Sequence, residues 1–185
     1  MKDLPVIPDG DVSPAFISYM KAAMARMPAK LRADLAESGW EIRLLPKAGR
    51  IFKPSSRVSA SFVLSSGTGY ERLSGATCMD GSHVIAFFES RMDKNGRVTS
   101  GPEAWLNDDQ IIHELGHALD RNRRERGGMA VSDMPEFVAA YKADIRGMSP
   151  QERSFYAYFI PKNKRSAEQR DYARREVVAE SFSQL

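Results

Sequence analysis

The chain has 185 residues, 42% hydrophobic and 28% charged, with a net charge of +3. That is the length and composition of one globular domain with a substantial core, and it excludes a fibrous, low-complexity or strongly polyionic protein. A single cysteine, Cys78, excludes an intramolecular disulfide and a cysteine-built zinc ribbon. No apolar run of signal-peptide type follows Lys2, and no stretch reaches transmembrane length, so synthesis in the cytoplasm without a signal peptide and no membrane partner are expected.

In chain order, residues 1–13 carry Pro5, Pro8 and Gly10 and read as an extended amino-terminal arm, leaving 14–185 as a single domain. Pro14 suits a first helical position. Phe16, Met20, Ala23, Met24, Met27, Leu31 and Leu35 recur at helical spacing as far as Gly39, and Met27-Pro28 predicts a break into two helices. Trp40 to Leu45 alternates as a strand that Pro46 and Gly49 are expected to end. Ile51 to Pro54 and Val58 to Leu64 read as further strands, Ser65 to Tyr70 as a loop, and Val84 to Glu89 as the strongest strand of the chain. A polar loop from Arg91 leads to Trp105.

The segment Asp108 to Arg121 contains His113, Glu114 and His117 in an H-E-x-x-H pattern. On a helix, residues four apart share a face about one turn apart, so both imidazoles can meet one metal ion while Glu114 reaches a water beside it. Asn107 or Asp108 can cap this helix, with Gln110 completing a capping box. Gly116 costs about 1 kcal/mol in a helix interior, which suggests that another backbone passes close by. Downstream, the basic run Arg121 to Arg126 ends at Gly127-Gly128. Ser132 or Asp133 can cap a helix with Pro135 early in it, Ser149-Pro150 opens a short helical piece holding FYAYFI, and a final helix starts near Arg170. Leu185 stands soon after the last acids, so either this helix is short or frayed or the chain is truncated there.

A catalytic zinc takes three protein ligands and keeps one position open. No histidine follows His117, and His83 sits upstream beside a strand, where a surface or substrate-side role suits it better than ligation. The third ligand should therefore be a carboxylate from Asp120, Asp133, Glu136, Asp144, Glu152, Glu168, Asp171, Glu176 or Glu180. Asp120 lies on the histidine helix itself and suits orienting a histidine through its free N–H. Glu176 and Glu180 stand four apart in EVVAESF, where one can ligate and the other hold a histidine; the alternative is two exposed acids balancing Arg174 and Arg175.

HELGHALD, the later EVVAES, the segment SDMPEF between them and the order of elements together resemble the anthrax lethal-factor-like catalytic domain, a gluzincin branch that includes the Pro-Pro endopeptidases. The resemblance implies an α+β zincin-like fold: an N-terminal helix, a small mixed sheet with VIAFFE as an edge strand over the active-site helix, and a C-terminal helical subdomain. It implies one Zn2+ per chain on His113, His117 and Glu176, with Glu114 as base and Glu180 behind a histidine. The family's oxyanion tyrosine, seven residues before the glutamate ligand, falls on Gln169 here, so Tyr172 and Tyr158 are the substitutes. The implied function is a zinc metalloendopeptidase, as a bacterial toxin or secreted effector, with a protein or peptide substrate laid along residues 84–89. The rival readings are an inactive zincin-fold binding module and a DNA-associated zinc protease. The latter lacks its usual third histidine or cysteine module, so no nucleic-acid partner is expected. The basic runs at Arg121 to Arg126 and Lys162 to Arg175 serve either as solvated faces or to favour acidic substrates.

Overall fold

The computed structural model describes residues 2–47, 75–77, 82–92, 95, 97–161 and 166–183. The strands expected at Ile51 to Pro54 and Val58 to Leu64, and the loop at Ser65 to Tyr70, lie outside them. The architecture is α+β, and it divides by backbone proximity into two compact units, Met1–Glu114 and Leu115–Leu185.

The first unit is built on a five-stranded mixed sheet: β1 (Val6–Pro8), β2 (Glu41–Lys47), β3 (Gly75–Thr77), β4 (Val84–Met92) and β5 (Val98–Ser100). The order is β1-β2-β4-β3, with β5 also pairing β4; β1-β2 and β2-β4 are parallel, and β3 and β5 run antiparallel to β4. The amino-terminal stretch expected as an arm thus contributes β1, which registers Val6 to Pro8 against Ile42 to Leu44. Strand β2 continues through Pro46 to Lys47 instead of ending there. The ladder joins Leu45 to Phe88 and Lys47 to Ser90, and Pro46 lies past the end of β1, so its missing N–H costs no hydrogen bond. The Ser90 hydroxyl donates to the Pro46 carbonyl at 2.6 Å.

The expectation that VIAFFE is an edge strand is corrected. Its flank is taken by β2 on one side and by β3 and β5 on the other. Val84, Ile85, Ala86, Phe87 and Phe88 are all buried, the continuous apolar run of a strand covered on both faces.

Helices α1 (Pro14–Arg26) and α2 (Ala29–Glu37) are separated at Met27-Pro28, as the sequence predicts. Ser13 caps α1, accepting from the Phe16 N–H at 3.2 Å. Phe16, Met20 and Met24 form its buried stripe. Phe16 and Tyr19 both pack against Trp105, with centroids 5.2 and 5.1 Å away, and the Tyr19 hydroxyl donates to the Leu106 carbonyl at 2.8 Å. These contacts fix the segment that leads into α3 (Asp108–Glu125).

The second unit is helical: the later part of α3, then α4 (Pro135–Gly147), α5 (Pro150–Phe155) and α6 (Ala167–Ser183). Ser149 and Glu152 close a reciprocal capping box on α5. Ser132 and Asp133, expected as caps for α4, lie in a 3-10 turn; α4 starts at Pro135 without a side-chain cap. Helix α6 has 17 residues, so the expectation of a short final helix is corrected. Among the described residues, no helix is long and apolar enough to cross a membrane.

Candidate metal centre

Helix α3 begins as its sequence dictates. The Gln110 N–H donates to Asn107 Oδ1 at 2.9 Å, and the Asn107 N–H donates to Gln110 Oε1 at 3.2 Å. Asp108 and Asp109 in the first turn and Arg123 and Arg124 in the last suit the helix dipole. His113 and His117 are half-buried one turn apart, while Ile111, Leu115 and Ala118 are buried.

What brings a carboxylate to these histidines is the fit of α6 against α3. A Cβ built on Gly116 would lie 2.9 Å from Ala179 Cα, 3.2 Å from its carbonyl oxygen and 3.3 Å from Phe182 Cβ. The glycine is there because a backbone passes it, as its place between two histidines suggests. Ala179, itself buried, carries no side chain beyond Cβ to hold the two helices apart. One turn before Ala179, Glu176 is 2% exposed, and its Oε1 stands 3.4 Å from His117 Nε2. His113, His117 and Glu176 each offer a donor atom, and the three lie within 4.8 Å of one another.

This donor set fits a zinc ion. Two ligands at about 2.1 Å in tetrahedral geometry lie about 3.4 Å apart, and two imidazoles with one carboxylate are borderline donors that leave a fourth position open. The group can hold a metal.

Gly116→Ala is expected to test the helix contact directly. Alanine gains roughly 1 kcal/mol in helix propensity, but its methyl meets backbone, which cannot swing aside like a flexible side chain. Overpacking should win, lowering the thermal midpoint and weakening metal binding together by displacing Glu176. A variant more stable than wild type would refute the close approach.

Glu176 Oε2 accepts from the Tyr158 hydroxyl at 2.8 Å, and the Tyr158 and Tyr172 hydroxyls lie 3.0 Å apart. Burial of the phenol, then the Glu176 charge and Tyr172 beside it, push the Tyr158 pKa well up, so this hydroxyl remains a donor. The ring as a whole is 46% exposed, so only its polar end is enclosed. Gln169 is exposed in the first turn of α6, where its N–H donates to Ser166 Oγ at 3.2 Å. Tyr158, from the segment before α6, supplies the phenol at Glu176.

Asp120 does not orient a histidine. It is buried, its Oδ1 accepts the Ser132 N–H at 3.0 Å and its Oδ2 accepts the Ser132 hydroxyl at 2.6 Å. Both oxygens tie α3 to the turn before α4. Glu180, half-buried one turn after Glu176, lines a cavity of about 230 Å³ with Tyr141, Ile145, Met148, Phe159 and Val177. Burial pushes the Tyr141 pKa up to about 12, and its hydroxyl donates to the Phe159 carbonyl at 2.7 Å. His83, just before β4, packs against Trp40 with ring centroids 5.0 Å apart and planes tilted by 31°.

The basic runs are partly neutralised within the chain. Arg124 pairs with Asp133 at 2.5 Å, Arg174 with Asp133 and Asp171 at 3.3 Å each, Arg175 with Asp171, and Arg121 with Glu125 at 2.7 Å. The acids balancing Arg174 and Arg175 are thus Asp133 and Asp171.

A residue that the sequence did not single out also reaches the site. The Thr77 hydroxyl of β3 lies 2.9 Å from Glu114 Oε2 and 2.7 Å from the Glu114 carbonyl. No local signal in Gly75-Ala76-Thr77 announces this; strand pairing produces it.

An α+β chain with two histidines on one helix and a buried glutamate on a later one has a zincin-like fold. Among solved structures it resembles the Pro-Pro endopeptidase PPEP-2 from Paenibacillus alvei, with TM-score 0.53 and 17% identity, over 95% of this chain and 81% of that one. At that identity the likeness is one of fold. No protein-family model and no curated protein matches the sequence.

Proposed function

We propose that the chain is a zinc metalloendopeptidase of the gluzincin type. The observation that carries this reading is the convergence of His113, His117 and Glu176 with Glu114 beside them. Zinc held there would supply Lewis acidity that acidifies water and polarises a carbonyl. Glu114 takes the proton of the attacking water and passes it to the leaving amine. Tyr158 turns its hydroxyl from Glu176 to the developing oxyanion, with Tyr172 as its hydrogen-bonding neighbour. Glu180 supports a histidine from the next turn of α6.

Because β4 is interior, the substrate pairs along β3, an edge strand among the described residues and the one whose Thr77 reaches Glu114. A peptide with consecutive prolines is the first substrate class to try, given the activity named for the structural neighbour. A role as a secreted toxin or effector rests on family analogy alone.

The test is to incubate zinc-loaded protein with a peptide library containing Pro-Pro sequences and identify products by mass spectrometry. Cleavage that chelation abolishes and zinc restores is expected. Stable zinc binding without any cleavage would favour a binding module.

Tyr158→Phe should keep metal content and lower kcat on the order of 100-fold, the usual cost of losing one oxyanion donor. Tyr172→Phe should cost less, because the 2.8 Å bond to Glu176 is donated by Tyr158, and Tyr172 stands 3.0 Å from that phenol. Full activity in Tyr158→Phe would remove Tyr158 from the mechanism.

A further inference from the structure

We propose that Thr77 is a positioning residue for the Glu114 carboxylate; this rests on the reading of Glu114 as the general base. A threonine hydroxyl has one hydrogen and two lone pairs. Here one oxygen atom touches both ends of the same residue, the Glu114 carbonyl at 2.7 Å and the side-chain Oε2 at 2.9 Å. Its one hydrogen is shared between these two acceptors, so the contact draws the carboxylate toward the Thr77 hydroxyl and restricts its rotamers. With Oε2 held, Oε1 is the oxygen left to take a proton.

The hydroxyl is well placed to act as a fixed point. Thr77 is 8% exposed and pairs with Ile85 of the central strand. Two residues earlier, a Cβ on Gly75 would meet Leu106 Cδ1 at 2.6 Å and Phe87 Cδ1 at 3.0 Å, so β3 lies tight on its surroundings. The sheet, through Thr77, therefore sets where the carboxylate points.

The experiment compares Thr77→Val, which keeps the shape and β-branching, with Thr77→Ser, which keeps the hydroxyl. Substrate is the best-cleaved library peptide, and zinc content and thermal midpoint are measured alongside. Thr77→Val should lower kcat roughly 10- to 100-fold with little change in KM or zinc content, as loss of an orienting partner typically does. Thr77→Ser should recover most of that loss. In a Glu114→Gln background, Thr77→Val should add almost nothing, because the two groups act as one unit.

A second readout needs no turnover. Acetohydroxamate at a zinc held there would offer its hydroxyl proton to the neighbouring carboxylate, so its affinity should fall in Thr77→Val and likewise in Glu114→Gln. Equal kcat in Thr77→Val and wild type, or a folded Thr77→Ser as slow as the valine variant, would overturn the proposal. If wild type cleaves no peptide, the protease reading fails separately and the hydroxamate comparison decides for Thr77: weaker binding to the valine variant upholds it, equal binding sinks it. A wild type that holds no zinc overturns both.

Discussion

Glu114→Gln should leave zinc bound and reduce peptide cleavage on the order of 1,000-fold, the range expected when a general base is removed. That corresponds to about 4 kcal/mol in the barrier. Glutamine has the same length and shape as glutamate. The Thr77 hydroxyl can still reach both the side-chain oxygen and the backbone carbonyl of residue 114, so the side chain has no reason to move. Neither His113 nor His117 is touched, and the helix keeps its cap. What is lost is basicity: an amide cannot accept a proton from water at neutral pH. The measurement is kcat/KM on a cleaved library peptide beside zinc content by elemental analysis. Wild-type turnover in this variant would end the assignment of Glu114 as base. Loss of zinc would mean that Glu114 serves the metal itself.

Glu176→Ala acts on the other half of the site. Glu176 is 2% exposed, and its two oxygens face His117 Nε2 and the Tyr158 hydroxyl. Removing one partner of a buried, hydrogen-bonded contact costs stability even without metal, so each variant is compared with itself, with and without zinc. The metal-bound protein loses an anionic ligand, and zinc affinity should fall at least 100-fold, the upper end of what even an orienting partner costs. Linkage makes this visible without any substrate. At a zinc concentration 1,000 times the wild-type Kd, binding stabilises the fold by about 4.1 kcal/mol. At the same zinc concentration, a 100-fold weaker site retains roughly 1.4 kcal/mol. For a chain of this length each kcal/mol is worth about 2–4 °C, so most of the zinc-induced rise in Tm should vanish. An undiminished rise in Glu176→Ala would show that the third ligand lies elsewhere.

The two variants separate the two functions of the centre. One should keep the ion and lose the chemistry; the other should lose the ion first. Both are read against Gly116→Ala, which touches no donor atom and acts through the helix contact alone.

What the sequence determined by itself was local. The capping box at Asn107 and Gln110, the break at Met27-Pro28, the pairing of His113 with His117 on one face and the meaning of Gly116 all follow from spacing along one helix. A helix repeats every 3.6 residues, so neighbours in space are neighbours in sequence. Glu176 as the carboxylate that joins them was an expectation from resemblance, and the packing of α6 on Gly116 is what places it 3.4 Å from His117.

Only the tertiary structure decided the rest, because strand neighbours and turn contacts come from distant parts of the chain. VIAFFE was expected at a sheet edge, yet five consecutive buried apolar residues mark it as an interior strand. Asp120 was expected behind a histidine, yet Ser132, 12 positions later, takes both its oxygens. Thr77 reaches Glu114 across a separation of 37 residues. Tyr158 reaches Glu176 from outside the helix that carries it. Each of these pairings is set by backbone hydrogen bonds and chain reversals that side-chain periodicity does not encode.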